Sequence, residues 1–232
     1  MNIYKKNLKQ LKQNLVYNET MEHDACGVGL VASTEGVKSR KVVEYGIQAL
    51  KAVWHRGAID ADGKTGDGAG IHIEIPKDFF IEKIEITGHR HDDSDLCVGM
   101  IFLPRNDYQG QEQCRIIVES ELTKKNFNIY GWRQVPVNPS VLGEKAENNR
   151  PEITQVLFKH NDKKVIGKNL ERVLYETRRK IEKEALNNQL NGFYICSFSS
   201  KSIIYKGMFL AEALSDFYLS LIHISEPTRL NP

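Results

Sequence analysis

No stretch of this sequence is apolar for long enough to cross a membrane as a helix. Such a span needs ~20 residues, and residues 98–104 form one of the longest apolar runs in the 232. An excess of charge is also lacking. The 32 basic and 30 acidic residues leave a net +2, which gives no reason to expect nucleic acid or a charged membrane surface as partner. Lysines near the N-terminus have no apolar segment behind them, so that end is not a secretory signal. The four cysteines, Cys26, Cys97, Cys114 and Cys196, include no Cys-x-x-Cys pair. Their wide spacing suits free thiols in a reducing cytoplasm. The glycines follow neither the dinucleotide fingerprint nor the phosphate-loop pattern, which argues against a nucleotide site. Repeats and low-complexity segments are absent. What remains, 41% hydrophobic and 27% charged, is the composition of a soluble globular protein.

Periodicity organises the chain. Residues 2–18 carry Leu8, Leu11 and Leu15 among lysines and glutamines, a weakly amphipathic helix. Residues 27–32 read as a strand. Residues 39–53 read as a helix with Val42, Val43, Ile47, Leu50 and Val53 on one face and Ser39 as N-cap. A glycine- and aspartate-rich loop, 54–70, precedes the alternating Ile71, Ile73 and Ile75, a strand ended by Pro76. After a polar connection at 88–95, strands are expected at 97–103, 127–135 and 152–159, and helices at 109–125, 140–149 and 169–184. Residues 192–198 and 202–205 read as a hairpin around Ser199-Ser200-Lys201. Strands interleaved with helices describe one α/β-type domain of two layers or more.

The segment with most chemistry is Glu22-His23-Asp24-Ala25-Cys26-Gly27-Val28-Gly29-Leu30. A polar, lysine-rich stretch of 25 residues gives way there to apolar alternation, with a thiol at the junction. This predicts a leader over 1–25 and a working chain that begins at Cys26. A terminal cysteine carries its own base, because its α-amino group titrates near ~8 and lies beside the thiol. Cys97, Cys114 and Cys196 fall in or beside strands and a helix, the setting of inert packing cysteines.

A second constellation is Trp54-His55-Arg56-Gly57-Ala58 followed by Asp60, Asp62 and Thr65-Gly66-Asp67-Gly68-Ala69-Gly70. Glycines at this density let backbone amides approach a ligand or another loop. Arg56 suits a carboxylate or a neighbouring loop, and Asp60 and Asp62 suit bonds to their own turn. His89 and His91 beside Asp92 and Asp93 have the look of a metal site, but no second ligand pair stands at suitable spacing, so a solvated loop is the expectation.

These motifs, in this order, resemble the large-chain family of glutamate synthases. The segment 22–29 is similar to that family's processing site and mature N-terminus. Residues 54–58 and 62–70 resemble its next landmarks, as do Gly131-Trp132-Arg133-Gln134-Val135-Pro136-Val137, Leu142-Gly143-Glu144-Lys145-Ala146, 193–197 and 204–208. The resemblance runs from about His23 to about Tyr218. It implies a class II glutamine amidotransferase domain, α+β, with the N-terminal-nucleophile hydrolase fold: a four-layer αββα sandwich, C-terminally incomplete. It further implies that Cys26 attacks the side-chain amide of L-glutamine, releasing ammonia and leaving a glutamyl thioester. Arg56 would order the site, and Asp67 and Gly68 would line or support it. A full-length enzyme would add FMN, an iron–sulfur cluster, 2-oxoglutarate as ammonia acceptor, and a small reductase subunit or ferredoxin. No cofactor is expected within these residues. The setting implied is cytoplasmic, or plastid in a photosynthetic eukaryote.

The likeness ends at Tyr218. The family would continue toward an arginine that binds the glutamine carboxylate and an Asn-Gly oxyanion segment, whereas residues 219–232 read as an unrelated tail. The expected division is therefore a leader (1–25), a partial amidotransferase domain (26–218) and a non-family tail (219–232). One oxyanion donor is worth ~10²–10³ in rate, so the chain as written is expected to have little glutaminase activity. Three functions follow: the glutaminase domain of a glutamate synthase, a class II amidotransferase with another ammonia acceptor, and an inactive fragment that acts by binding.

Overall fold

The computed structural model describes residues 3–14, 27–36, 39–54, 57–92 and 94–222. Its helices and strands run α1 (Ile3–Gln13), α2 (Arg40–Ala52), β1 (Ala69–Glu74), α3 (Lys77–Ile86), β2 (Leu96–Leu103), α4 (Tyr108–Lys124), β3 (Phe127–Gln134), α5 (Glu144–Asn148), β4 (Glu152–His160), α6 (Gly167–Asn187), β5 (Tyr194–Ser199), β6 (Ser202–Gly207) and α7 (Leu214–Phe217).

Two antiparallel sheets face one another. One has the order β3-β4-β2-β5 and the other pairs β1 with β6. The sequence explains why β2 lies inside the larger sheet. Leu-Cys-Val-Gly-Met-Ile-Phe-Leu offers no polar face, and six of its first six positions are buried. Its even-numbered residues Val98 and Met100 join Leu157, Cys196, Ile203 and Tyr205 in the core between the sheets. Its odd-numbered residues Cys97, Ile101 and Leu103 pack instead with Val118 and Leu122 of α4 and Leu170 and Leu174 of α6. Each such side chain contributes about 1.5–3 kcal/mol when fully buried. On the opposite side α2 covers β1, with Gly46 close against Ile71. The layers are thus helix, sheet, sheet, helix, and the fold is α+β, because every ladder is antiparallel.

The expected helix at 39–53 forms as α2, capped by Ser39, whose Oγ accepts from the Lys41 amide at 3.2 Å. Two local expectations are corrected and one helix was not foreseen. Residues 27–32 make no strand and pair with no other among the described residues, with Val28 90% and Leu30 92% exposed. Helix α3 had no counterpart in the sequence reading, because apolar residues at 79, 80, 81, 84 and 86 match no single period. β5 and β6 follow one another without forming a hairpin, since β5 pairs with β2 and β6 with β1. Glu171 of α6 turns the chain between them. Its carboxylate accepts from both Ser199 Oγ and Ser200 Oγ and from the Ser200 amide, at 2.8–3.0 Å. That grip sends β6 across to the second sheet. Beyond α7, Ser220 and Leu221 are buried, Leu221 within the inter-sheet core.

Candidate active site

The loop joining α2 to β1 is a narrow hairpin. The Gly57 amide donates to the Trp54 carbonyl at 3.0 Å, Asp60 N–H to Thr65 O at 2.9 Å and Asp67 N–H to Ala58 O at 3.3 Å, with a bridge between Ile59 and Gly66. This folding returns Asp67 to Gly57: a Cβ on Gly57 would stand 3.3 Å from Asp67 Oδ1. Asp67 is therefore brought beside the residue that follows Arg56. Gly68 has φ +134°, a conformation open to glycine. Gly66 is pressed so closely on the next strand connection that a Cβ would sit 2.7 Å from the Phe209 carbonyl oxygen.

The tip of the loop is fastened from inside and outside. Asp62 Oδ1 accepts from the amides of Lys64 (2.9 Å) and Thr65 (2.7 Å), and Oδ2 from the Thr65 hydroxyl (2.6 Å). The Thr65 hydroxyl and amide, then the Lys64 amide, hold the Asp62 carboxyl down at about 2. From outside comes α5. Its N-cap residue Gly143 has no side chain to offer, and Thr65 Oγ1 accepts from the Ala146 amide at 3.4 Å instead. Lys145 Nζ reaches Asp60 Oδ2 at 2.7 Å. Asp60 and Asp62 do bond their own turn, as expected, but the partnership with residues 143–146 was not legible from the sequence.

A cavity of about 450 Å³ adjoins this loop, with Leu103, Ile153 and Phe217 among its apolar lining and Arg105, Arg150 and Lys206 at its edge. Its lining includes Phe209, against which Gly66 rests, and Gly207, beside Gly68. The edge cations have partners: Arg105 and Arg150 bind Glu147 at 2.6 and 2.8 Å, and Lys206 lies 2.6 Å from the Tyr194 hydroxyl. Apolar contact is what the cavity chiefly offers.

Of the expected site residues, Asp67 is brought to Gly57, while Gly68 lies by the Gly207 carbonyl. Cys26 and Arg56, with His23, lie outside the described residues. The other three thiols are buried and unsuited to attack. Burial pushes Cys97 well up and raises Cys114 and Cys196 to about 11. His91 is held by the Tyr130 hydroxyl (3.0 Å) and the Ser94 carbonyl (3.1 Å), and Asp92 pairs with Lys159 at 2.9 Å. Among the described residues no three His, Cys, Asp or Glu side chains converge on a metal position. No helix among the described residues is long and apolar enough to cross a membrane.

Comparison with known proteins gives a coherent answer. A family model for class-II glutamine amidotransferases matches residues 26–230. The large chain of the NADPH glutamate synthase of Azospirillum brasilense is 53% identical over 219 residues, covering 94% of this chain and 14% of that protein. Ferredoxin-dependent glutamate synthase 2 of Synechocystis sp. is 39% identical over 201 residues, covering 86% of this chain and 12% of that protein. The chloroplastic/mitochondrial ferredoxin-dependent glutamate synthase 1 of Arabidopsis thaliana is 39% identical over 202 residues, with the same shares of 86% and 12%. The chain thus spans about one seventh or less of the length of these relatives.

Proposed function

The chain belongs to the class-II glutamine amidotransferases, and from that membership we propose that it is the glutamine-hydrolysing domain of a glutamate synthase. One observation carries the choice of nucleophile. The family match opens at Cys26, while each of the other three cysteines is buried with its thiol pushed up.

The chemistry follows from a terminal cysteine. The α-amino group of Cys26 takes the thiol proton, and the thiolate adds to the side-chain carbonyl of L-glutamine. The same amine returns the proton to the leaving nitrogen, so ammonia departs and a γ-glutamyl thioester remains. Water hydrolyses the thioester to glutamate and restores the thiol. Arg56 orders the site, and the Asp67-Gly68 turn borders it. The leader 1–25 is removed in this reading, to free the amine.

The acceptor is 2-oxoglutarate rather than an amino-sugar or purine precursor, a choice supported by the glutamate synthases among the relatives. FMN and an iron–sulfur cluster belong to other parts of such an enzyme. Identity of 53% to the NADPH-named relative against 39% to two ferredoxin-named ones supports a small reductase subunit as electron donor over ferredoxin. The setting is cytoplasmic. The test is glutamine hydrolysis by a full-length enzyme that carries these residues. Cys26→Ala is expected to lower ammonia release by ~10⁴-fold or more; undiminished release in that variant would reject the assignment.

A further inference from the structure

His91, between α3 and β2, ties its stretch of chain to the β3 edge of the larger sheet, and only the neutral ring fits the tie. The Ser94 carbonyl can only accept, so Nε2, 3.1 Å from it, carries the ring proton. Nδ1 is then a bare acceptor, and the Tyr130 hydroxyl 3.0 Å away donates to it. Tyr130 stands on β3 with its ring buried in the inter-sheet core. Lys159 of β4 has its Nζ 5.9 Å from the centre of that ring and adds a weaker pull on the hydroxyl. The same Nζ pairs with Asp92 Oδ2 at 2.9 Å. Asp92 in turn accepts from the Ser94 amide at 3.2 Å and from the Ser94 hydroxyl. His91, Asp92 and Ser94 are thereby fastened to two strands through Tyr130 and Lys159.

A second ring proton has no place in this arrangement. It would fall on Nδ1, facing a hydroxyl whose own proton already points there. Tyr130 would have to turn that proton away and accept from an imidazolium while Lys159 draws on the same oxygen. The surrounding charges do not favour an imidazolium. Among the described residues, those that face the ring are Asp92 beside it, Tyr130 from β3, Lys159 from β4 and Lys77 from the start of α3. Asp92 is already engaged by Lys159 and, at 3.5 Å, by Lys163, while Lys77 pairs with Asp95 at 3.4 Å. The His89 ring, 6.2 Å from that of Tyr130, would add one more cation on acidification. Burial, ahead of any of these charges, holds the His91 titration below the ordinary 6.5. We infer that this is a proton-released clamp, closed while His91 is neutral and opened when the ring takes a second proton. A freed ring titrates near its ordinary value, above its value in the clamp, so the open form binds the proton more tightly and gains as the pH falls. The clamp is therefore closed above pH ~6.5 and weakens progressively below it. Its opening loosens the entry to β2 at Leu96 and uncovers the Tyr130 hydroxyl.

Backbone hydrogen exchange of the purified protein tests this at about pH 7.5 and about pH 5.5, one unit either side of an ordinary imidazole. The readout is the protection factor of peptides covering 94–97, which removes the intrinsic effect of pH on exchange. Protection there is expected to fall about three- to tenfold at the lower pH, the gain open to an ordinary imidazole one unit below its pKa. Peptides of α4 should keep theirs. His91→Gln removes the titrating ring, and the two pH values should then give the same protection. Tyr130→Phe keeps an aromatic ring in the core but takes away the donor to Nδ1. In that variant His91 should titrate higher than in the wild type, as followed by exchange of its ring Cε1 hydrogen and read apart from His89. If His91→Gln is open at both pH values, the titration in Tyr130→Phe decides alone. Wild-type protection at 94–97 that ignores pH, or an equal loss in α4, would overturn the clamp. So would a pH response that survives in His91→Gln, or a His91 titration unmoved by Tyr130→Phe.

Discussion

Gly143 and Asp62 are fitted to one another: a single carbon added to Gly143 would lie 2.1 Å from the Asp62 carboxylate oxygen. Gly143→Ala must therefore expel Asp62 from the cap or shift α5, and is expected to cost about 1–3 kcal/mol, the usual range for overpacking. Gly63→Ala makes a useful contrast. Its Cβ meets nothing, yet φ is +67°, so only the backbone cost of ~1 kcal/mol applies. Urea midpoints of the two variants measure the difference; equal shifts would refute the steric account.

Asp62 also gives the loop an acid sensitivity. Its carboxyl is held at about 2, below the ordinary ~3.9 of an unfolded chain. The folded state is thus favoured by the ionised form. That contribution is fully present above pH ~4 and is lost as pH falls through about 2. Asp62→Asn is expected to flatten the acid limb of stability against pH in that window. A limb of unchanged steepness would assign the acid loss to other groups.

Much of this architecture was legible in the sequence because its signals are local. Ser39 before an apolar stripe marks α2, and the apolar run in 97–103 marks a strand, which the structure shows buried on both faces. The motifs at 54–58 and 62–70 pointed to the loop that the structure folds into a hairpin. What escaped was non-local. The cap joins Thr65 to Ala146 and Asp60 to Lys145, more than 80 residues apart. The false hairpin at 199–201 shows the same limit: the turn residues were read correctly, but Glu171 on another element decides where β6 goes. Residues 27–32 alternate as a strand should, and yet no partner pairs with them among the described residues.

Glu171 should accordingly govern the crossover between sheets. Glu171→Ala leaves the Ser200 amide and two hydroxyls without their acceptor, at a cost of about 1–3 kcal/mol. Hydrogen exchange at the Ser200 amide is expected to speed more than exchange in α4. Exchange that accelerates equally everywhere would mean that the contact stabilises the fold generally without directing the turn.

Arg133 and Gln155 provide a test of the inter-sheet core. The Arg133 guanidinium donates to Gln155 Oε1 at 2.8 Å, and Gln155 is fully buried on β4, its amide 3.4 Å from the Tyr205 hydroxyl. Gln155→Leu preserves bulk but strips Arg133 of that acceptor, and is expected to destabilise by about 1–3 kcal/mol. Denaturant unfolding measures it, and a neutral result would show that water replaces the lost acceptor.

The central claim is that Cys26 works as a chain terminus, supplying nucleophile and base together. Intact-mass and N-terminal sequencing of the purified, enzymatically active protein test it most directly. The account predicts a mature chain whose first residue is Cys26, with residues 1–25 gone. An active protein that retains Met1 would contradict it, because its thiol would then have no terminal amine beside it.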